Sequence, residues 1–198
     1  MQWQRWKAVL KGTFGRGVHS HETSFSLTLP LRRLVLSPET LAGRLCLEAS
    51  LRVLEVGPGP GYFSAEVARR LPQGRLELFD LQREMLESAR RRLAAVENVG
   101  FTQGDARRLP FNEETFDVAF LVAVLGEVPD PAACLQSVYR ALRPGGLLSN
   151  TEQPGDPDFL SPEAVRALAE RAGFEFVEQF GRGKNYTANF RKPSIAGG

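Results

Sequence analysis

Three glycines at alternate positions follow an apolar run that predicts a buried strand. They stand in Glu55-Val-Gly-Pro-Gly-Pro-Gly61, and apolar residues at helical spacing begin directly after them. Because glycine has no Cβ, the chain can turn sharply here and let a ligand lie against its backbone. The spacing differs from the G-x-G-x-x-G of dinucleotide-binding proteins and lacks the G-K-[ST] ending of a phosphate-binding loop. The alternative is a glycine-rich turn that holds no ligand.

Carboxylates stand at the ends of three successive predicted strands. Glu55 lies just before the glycines, Asp80 ends the second strand, and Asp105 follows the third. Parallel strands end along one edge of their sheet, which is where such sheets bind ligands. Asp80 can there accept both hydroxyls of a ribose, and Asp105, with the Ala106 amide beside it, can accept the exocyclic amine of a purine. Taken singly, Asp80 can equally be a turn residue and Asp105 a cap.

Strands alternate with helices along most of the chain, and this alternation must position the acids. Helices are predicted over 37–46, 61–71 and 82–96, and from Asp130-Pro131 and Ser161-Pro162 onward, where an N-cap side chain precedes a proline. Strands are predicted over 51–56, 75–79, 99–103, 116–125 and 147–151, with a hairpin over 174–190. The pattern predicts an α/β fold with a doubly wound, mostly parallel sheet.

The whole motif series resembles the class I S-adenosylmethionine-dependent methyltransferases. It consists of Glu55 to Gly61, Asp80, Gly104-Asp105-Ala106, Phe116-Asp117-Val118 and Leu142-Arg-Pro-Gly-Gly146. The match is close over 51–152 and looser to about 191. The resemblance implies a seven-stranded sheet in the order 3-2-1-4-5-7-6, with strand 7 antiparallel and helices on both faces. It also implies S-adenosylmethionine as cofactor and S-adenosylhomocysteine as product.

The resemblance assigns parts of that cofactor to residues of this chain. The glycine loop, with Gly57, Pro58, Gly59 and Gly61, would hold the methionine part, and Glu55 would orient its amino group. Asp80 would hold the ribose, Leu81 would pack on the adenine, and Gly104, Asp105 and Ala106 would meet the adenine amine. The backbone around Leu121 and Val122 would face the methionine end. No catalytic residue and no metal ligand is assigned.

Other candidates are named by placement alone. Tyr62, Glu127 and Tyr186 follow or begin strands near the expected site, and each can equally be structural. His19 and His21 alternate in an extended segment and can act as a base or ligands, or simply lie at the surface.

Charge divides the chain into an acidic centre between basic flanks. Residues 1–50 carry a net charge of +4, residues 51–179 carry −6, and residues 180–198 carry +4. An acidic centre suits a cationic cofactor.

We expect residues 1–50 to form an N-terminal extension or lid, 51–192 the core, and 193–198 a flexible tail. The alternative for the extension is packing on the core.

The absence of certain motifs reduces the number of methyl-acceptor classes that the sequence fits. The segment after the fourth strand, 121–127, lacks the Asn/Asp-Pro-Pro-Tyr/Phe series of nucleic-acid amino-methyltransferases and the acidic metal ligands of catechol-type enzymes. We therefore expect methyl transfer by in-line displacement to a small, lipophilic organic acceptor, with nucleic acid not expected as a partner. The alternatives are a non-catalytic cofactor-binding module and a methyltransferase acting on RNA or protein.

Two cysteines and the lack of a long apolar run indicate a reduced, cytoplasmic protein without a transmembrane segment, for which peripheral membrane contact stays open.

Overall fold

Seven strands form one sheet in a computed structural model that describes residues 36–194. The strand order is β3-β2-β1-β4-β5-β7-β6. The first five strands pair in parallel, and β7 runs antiparallel to both of its neighbours. The predicted order and the antiparallel seventh strand are confirmed. The strands are β1 Arg52–Val56, β2 Arg75–Asp80, β3 Val99–Gln103, β4 Phe116–Val122, β5 Leu142–Glu152, β6 Glu175–Arg182 and β7 Asn185–Arg191.

Five α-helices cover the sheet, and three of them begin as predicted. The side chains of Ser37, Asp130 and Ser161 each accept a hydrogen bond from the backbone N–H three residues later, and a proline follows each cap. The helices are α1 Pro38–Arg44, α2 Ser64–Arg69, α3 Arg83–Arg92, α4 Pro131–Ala141 and α5 Pro162–Arg171. α2 and α3 are shorter than their apolar spacing predicted.

Two strands also differ from their predicted bounds. β4 ends at Val122 rather than 125, because Ala123 has a φ of 53° and turns the chain out of the sheet. β5 is longer than the predicted 147–151 and runs to Glu152, which pairs with Tyr186 of β7. Both differences fall at the edge of the sheet where ligands are expected.

Apolar side chains fill both faces of the sheet. Leu54 and Leu121 belong to the cluster that packs under α4 and α5. Val53 and Phe120, one residue earlier on the same strands, belong to the cluster under α1, α2 and α3. The central strands are therefore covered on both sides, as their nearly continuous apolar sequences predicted.

A single carboxylate joins three strands at the amino end of the sheet. Asp117 Oδ2 accepts a hydrogen bond of 2.6 Å from the Arg52 backbone N–H, and its Oδ1 lies 2.8 Å from Arg143 Nε. These contacts connect the beginnings of β1, β4 and β5. The Phe116-Asp117-Val118 motif thus stabilises the sheet at the end remote from the ligand edge.

The predictions for the chain ends lie outside the described residues. They are residues 1–35 of the extension or lid predicted over 1–50, the placement of His19 and His21, and residues 195–198 of the tail predicted over 193–198. Within residues 36–194, no helix is both long and apolar enough to cross a bilayer.

Candidate functional site

A cavity of about 440 Å³ opens at the carboxyl ends of the parallel strands. Its wall has two parts, which we call the cofactor side and the acceptor side. The cofactor side follows β1, β2 and β3 and includes Glu55, Val56, Gly57, Pro58, Gly59, Pro60, Tyr62, Phe63, Phe79, Asp80, Leu81, Gln82, Met85, Asp105 and Ala106. The acceptor side follows β4 and β5 and includes Val122, Ala123, Val124, Glu127, Val128, Pro129, Gln153, Pro154, Gly155, Asp156 and Pro157.

Gly57 is the tightest point of the glycine loop. Its φ of 68° lies in the left-handed region, and its N–H donates a 2.8 Å hydrogen bond to the Phe79 carbonyl oxygen. A Cβ built here would lie 2.5 Å from Val124 Cγ2. Only glycine therefore lets the end of β1 approach both β2 and the turn after β4.

Glu55 is a buried carboxyl group at the floor of the cavity. Its side chain is 2% exposed, and Ser64 Oγ, at the beginning of α2, donates a 2.6 Å hydrogen bond to Oε2. Burial raises the pKa of Glu55 to about 8, and the nearby charge of Asp80 adds to the increase. The hydrogen bond fixes the carboxyl group in place while leaving it short of compensating positive charge.

Asp80 is held by backbone amides. Its Oδ1 accepts a 2.8 Å hydrogen bond from Gln82 N–H, and the amides of Gly59 and Leu81 also donate to the carboxylate. Burial nevertheless raises the pKa of Asp80 to about 6. The end of β2, the glycine loop and the approach to α3 are thus tied together through one acidic side chain.

Asp105 lies at a more exposed part of the same wall. It accepts a 3.0 Å hydrogen bond from Arg107 N–H and forms an ion pair of 2.6 Å with the Arg107 guanidinium. This arginine holds the pKa of Asp105 below its usual value. Asp105 therefore makes the capping contact that the sequence left open as an alternative, and it lines the cavity as well.

Three of the predicted site residues lie outside the cavity wall. Leu121 is fully buried in the core, and Val122, Ala123 and Val124 form the wall after β4. A Cβ at Gly104 would lie 2.7 Å from Phe79 Cζ, so this glycine makes room for a ring. A Cβ at Gly61 would lie 3.2 Å from the Cβ of Ala89 on α3. The last two glycines serve packing in this structure.

The acceptor side contains Glu127, which the sequence analysis named by its placement, and two polar residues that it missed. Glu127 lines the cavity in a short 3-10 turn, whereas Gln153 and Asp156 follow β5. Burial and the neighbouring carboxylates of Asp156, Asp158, Asp80 and Glu152 raise the pKa of Glu127 to about 8. The placement of Gln153 and Asp156 directly after a strand was the one signal available in the sequence.

Tyr186 is not part of the cavity. It is fully buried, and its hydroxyl donates a 2.8 Å hydrogen bond to the Leu160 carbonyl oxygen. Its contacts are those of a core residue, which agrees with the structural alternative.

The cavity wall is acidic. Its five carboxyl groups belong to Glu55, Asp80, Asp105, Glu127 and Asp156, and no lysine or arginine of residues 36–194 lines it. The described part of the chain also contains no group of three His, Cys, Asp or Glu residues able to hold a metal ion. The electrostatic environment favours a cationic or neutral ligand over an anionic one.

Comparison with known proteins agrees with this arrangement. Residues 53–146 match a family model described as a methyltransferase domain. The matched segment contains the glycine loop, all three strand-end acids and Glu127. This segment of the chain is therefore similar to methyltransferase domains, and the strand order agrees with the sheet that the class I resemblance implied.

Two curated proteins similar to this chain are named as enzymes that methylate quinones or act in their biosynthesis. The ubiquinone/menaquinone biosynthesis C-methyltransferase UbiE of Haemophilus ducreyi is 39% identical over 101 residues, which are 49% of this chain and 39% of the relative. The demethylmenaquinone methyltransferase of Staphylococcus aureus (strain JH9) is 33% identical over 111 residues, 54% of this chain and 46% of the relative. The chain thus spans less than half the length of each.

Solved structures resemble the fold over most of this chain. A SAM-dependent methyltransferase from Aquifex aeolicus superimposes with a TM-score of 0.82 at 20% identity, covering 88% of this chain and all of that one. The [4+2]-cyclase SpnF superimposes with a TM-score of 0.72 at 20% identity, covering 91% of this chain and 86% of that one. At such identities the likeness shows the fold alone, and the two neighbours carry the names of different reactions.

Proposed function

We propose that this chain binds S-adenosylmethionine in the cavity and transfers its methyl group to a small, lipophilic acceptor of the quinone type. The observation that carries the proposal is the cavity itself, in which a glycine loop and strand-end carboxylates meet at one edge of the sheet. The names of the curated relatives support both the cofactor chemistry and the acceptor class.

The cofactor side fits a cationic nucleoside in shape and charge. Gly57 and Gly59 line the cavity with backbone, and the carboxyl groups of Glu55 and Asp80 lie on the same wall. Leu81 is 53% exposed, although it is a large apolar residue, and it borders the cavity beside Phe79 and Met85. An adenine ring packed on Leu81 would cover this surface.

Each acid has a distinct place in the proposal. Asp80 uses part of its capacity on three backbone amides, and a carboxylate offers about four lone-pair sites, so it can also accept from ribose hydroxyls. Glu55, held by Ser64, would accept from the amino group of the methionine part. Asp105 and Ala106 would meet the adenine edge, with Arg107 keeping the Asp105 carboxylate ionised.

S-adenosylmethionine supplies a methyl group on a positively charged sulfonium. The residues of the chain hold donor and acceptor in line, and such positioning is worth up to ~7–11 kcal/mol of the barrier. The backbone around Gly57 and Val122 lines the cavity and would fix the donor.

Apolar side chains on the acceptor side favour a lipophilic acceptor. They belong to Val122, Ala123, Val124, Val128, Pro129, Pro154 and Pro157. Three of the seven are prolines, which cannot donate backbone hydrogen bonds to a polar ligand. This composition favours a flat, apolar ring over a sugar or a peptide.

The proposal is tested with the full chain in two steps. Titration calorimetry with S-adenosylmethionine and S-adenosylhomocysteine should show binding of both compounds. A labelled-methyl assay against a quinone and lipid extract, kept reduced, should then give a labelled lipophilic product. An Asp80→Asn variant, which keeps the size of the side chain and removes its charge on the cofactor side, serves as the matched control and should bind both compounds more weakly. Absence of cofactor binding in folded protein contradicts the proposal, and binding without any labelled product contradicts its catalytic part.

A further inference from the structure

Gln153 lines the cavity and carries an unsatisfied donor. Its side chain is 5% exposed, and its Nε2 amide is buried without a hydrogen-bond partner. Such an unpaired donor is unfavourable, because it has lost its hydrogen bonds to water without replacing them. Because Gln153 lines the acceptor side, an oxygen of the acceptor can satisfy this amide.

Glu127 is held rigidly on the same side of the cavity. Its backbone N–H donates a 3.0 Å hydrogen bond to the Val124 carbonyl oxygen, which closes the 3-10 turn. The neighbouring Gly126 packs so closely on the loop after β5 that a Cβ there would collide with the Asp158 carbonyl oxygen. The turn therefore has little freedom to move Glu127 away from the cavity.

The environment of Glu127 favours proton uptake near neutral pH. Its surroundings are acidic on every side, since Asp80 faces it from β2, Glu152 from β5, and Asp156 and Asp158 from the following loop. These charges and burial raise the pKa of Glu127 to about 8, which is the range in which a general base works well.

A hydroxyl group is the acceptor chemistry that suits both side chains at once. Gln153 Nε2 requires a hydrogen-bond acceptor, an ionised Glu127 can accept a further hydrogen bond from a donor, and a hydroxyl group is both acceptor and donor. An ammonium group offers no acceptor to Gln153, and a carboxylate or phosphate would be repelled by the acidic wall. The apolar surroundings favour a hydroxyl on an aromatic ring.

We propose that Glu127 and Gln153 bind the hydroxyl of an aromatic acceptor, a phenol or hydroquinone, and that Glu127 removes its proton. This inference rests on the proposed function. Gln153 donates to the oxygen, and the hydroxyl proton passes to Glu127. The ring carbon forms the new C–C bond as the methyl–sulfur bond breaks and leaves its electron pair on sulfur. The ring proton is then lost and the hydroxyl is restored, so the products are the methylated ring, a neutral thioether and one proton.

Binding tests the hydroxyl recognition without turnover. The full chain is saturated with S-adenosylhomocysteine and titrated anaerobically with naphthohydroquinone, and separately with naphthoquinone, which has no hydroxyl. We expect the hydroquinone to bind about tenfold or more tightly. Gln153→Leu and Glu127→Gln should each remove most of this preference, whereas Glu84→Gln, an exposed carboxylate on α3, should keep it. Equal affinities in the unsubstituted protein overturn the inference.

Turnover tests the proton transfer. With naphthohydroquinone as acceptor, Glu127→Gln should lower kcat by ~100- to 10,000-fold and abolish the rise of kcat with pH. Glu127→Asp, which keeps a carboxylate, should retain that rise. Affinity for S-adenosylmethionine should stay within about threefold in both variants, which shows that they fold.

The possible failures separate the two proposals. A Glu127→Gln variant with unchanged kcat overturns the inference and leaves the proposed function standing. Cofactor binding with neither binding nor methylation of naphthohydroquinone also overturns the inference. Loss of cofactor binding in the unsubstituted protein overturns the proposed function itself.

Discussion

Replacing Asp80 by asparagine separates the cost of burying a charge from its value in binding. The substitution keeps the size of the side chain and removes its charge. The carboxylate accepts from the amides of Gln82, Gly59 and Leu81, so an asparagine oxygen can keep part of this set. Compared with the unsubstituted chain, we expect the variant to bind S-adenosylmethionine more weakly at high pH. We expect its stability relative to that chain to increase as the pH rises.

The magnitudes follow from the contacts and from the pKa. Losing charge-assisted hydrogen bonds to a ribose should weaken cofactor binding roughly 10- to 100-fold. The pKa of Asp80 is raised from 3.8 to about 6, so its native form prefers the proton. The stability that this preference contributes is present at low pH and is lost as the pH rises through 6. The variant lacks this pH-dependent contribution. The free energy of unfolding of the variant minus that of the unsubstituted chain should therefore increase by about 2 kcal/mol from pH 4 to pH 8.

Two measurements on the same samples check this reasoning. Calorimetry at pH 8 gives the affinity, and urea unfolding at pH 4, 6 and 8 gives the stability difference between the variant and the unsubstituted chain. Glu84→Gln, which removes an exposed carboxylate near the beginning of α3, is the control and should change neither quantity appreciably. Unchanged affinity in Asp80→Asn would refute the ribose assignment. A stability difference independent of pH would refute the buried-charge argument.

Three further predictions concern the loop, the pH and the amino end of the sheet. Gly57→Ala should cost more than about 2 kcal/mol in urea unfolding, because its φ is positive and its Cβ would press on Val124, whereas Gly43→Ala within α1, with open space around it, should be neutral or stabilising. Affinity for S-adenosylmethionine should rise from pH 6 to pH 8 and then level off, since Glu55 must lose a proton to receive a cation; calorimetry on Glu55→Gln should show a weaker rise. Asp117→Ala should lower the unfolding free energy by about 2 kcal/mol and leave calorimetric affinity for the cofactor within about threefold, and a large loss of affinity would contradict its placement remote from the cavity.

The parts of the fold that depend on short stretches of chain were predictable from the sequence. Alternating apolar strands and amphipathic helices indicated the parallel sheet, and the Asp130-Pro131 and Ser161-Pro162 pairs marked helix starts that the structure confirms. The glycine spacing likewise placed a tight turn after β1, and Gly57 adopts the positive φ that such a turn needs. Local backbone chemistry decides these features, so a local pattern is enough.

The direction in which side chains of the central strands point was harder to predict from the sequence. β4 is apolar on both faces, so its sequence carries no alternation that says which residue faces the cavity. The prediction for Leu121 concerned its backbone alone, and pairing of β4 with β1 and β5 directs its side chain into the core. Asp105 and Arg107 are close in sequence, so a capping contact between them could be predicted. The sequence did not favour this contact over ligand binding by Asp105, because the same residue suited both interpretations.

The acceptor side shows most clearly what sequence patterns leave out. If β5 had ended at residue 151 as predicted, Gln153 would follow two residues later in a loop, where an amide is ordinarily hydrated. The strand instead runs to Glu152, held by its pairing with Tyr186 on an antiparallel neighbour distant in sequence. That additional residue carries Gln153 into a buried position beside the cavity that Glu127 also lines. The side chains that we assign to the acceptor are therefore brought together by long-range pairing at the far side of the sheet. The cofactor side, by contrast, is built from motifs that each occupy a single strand end.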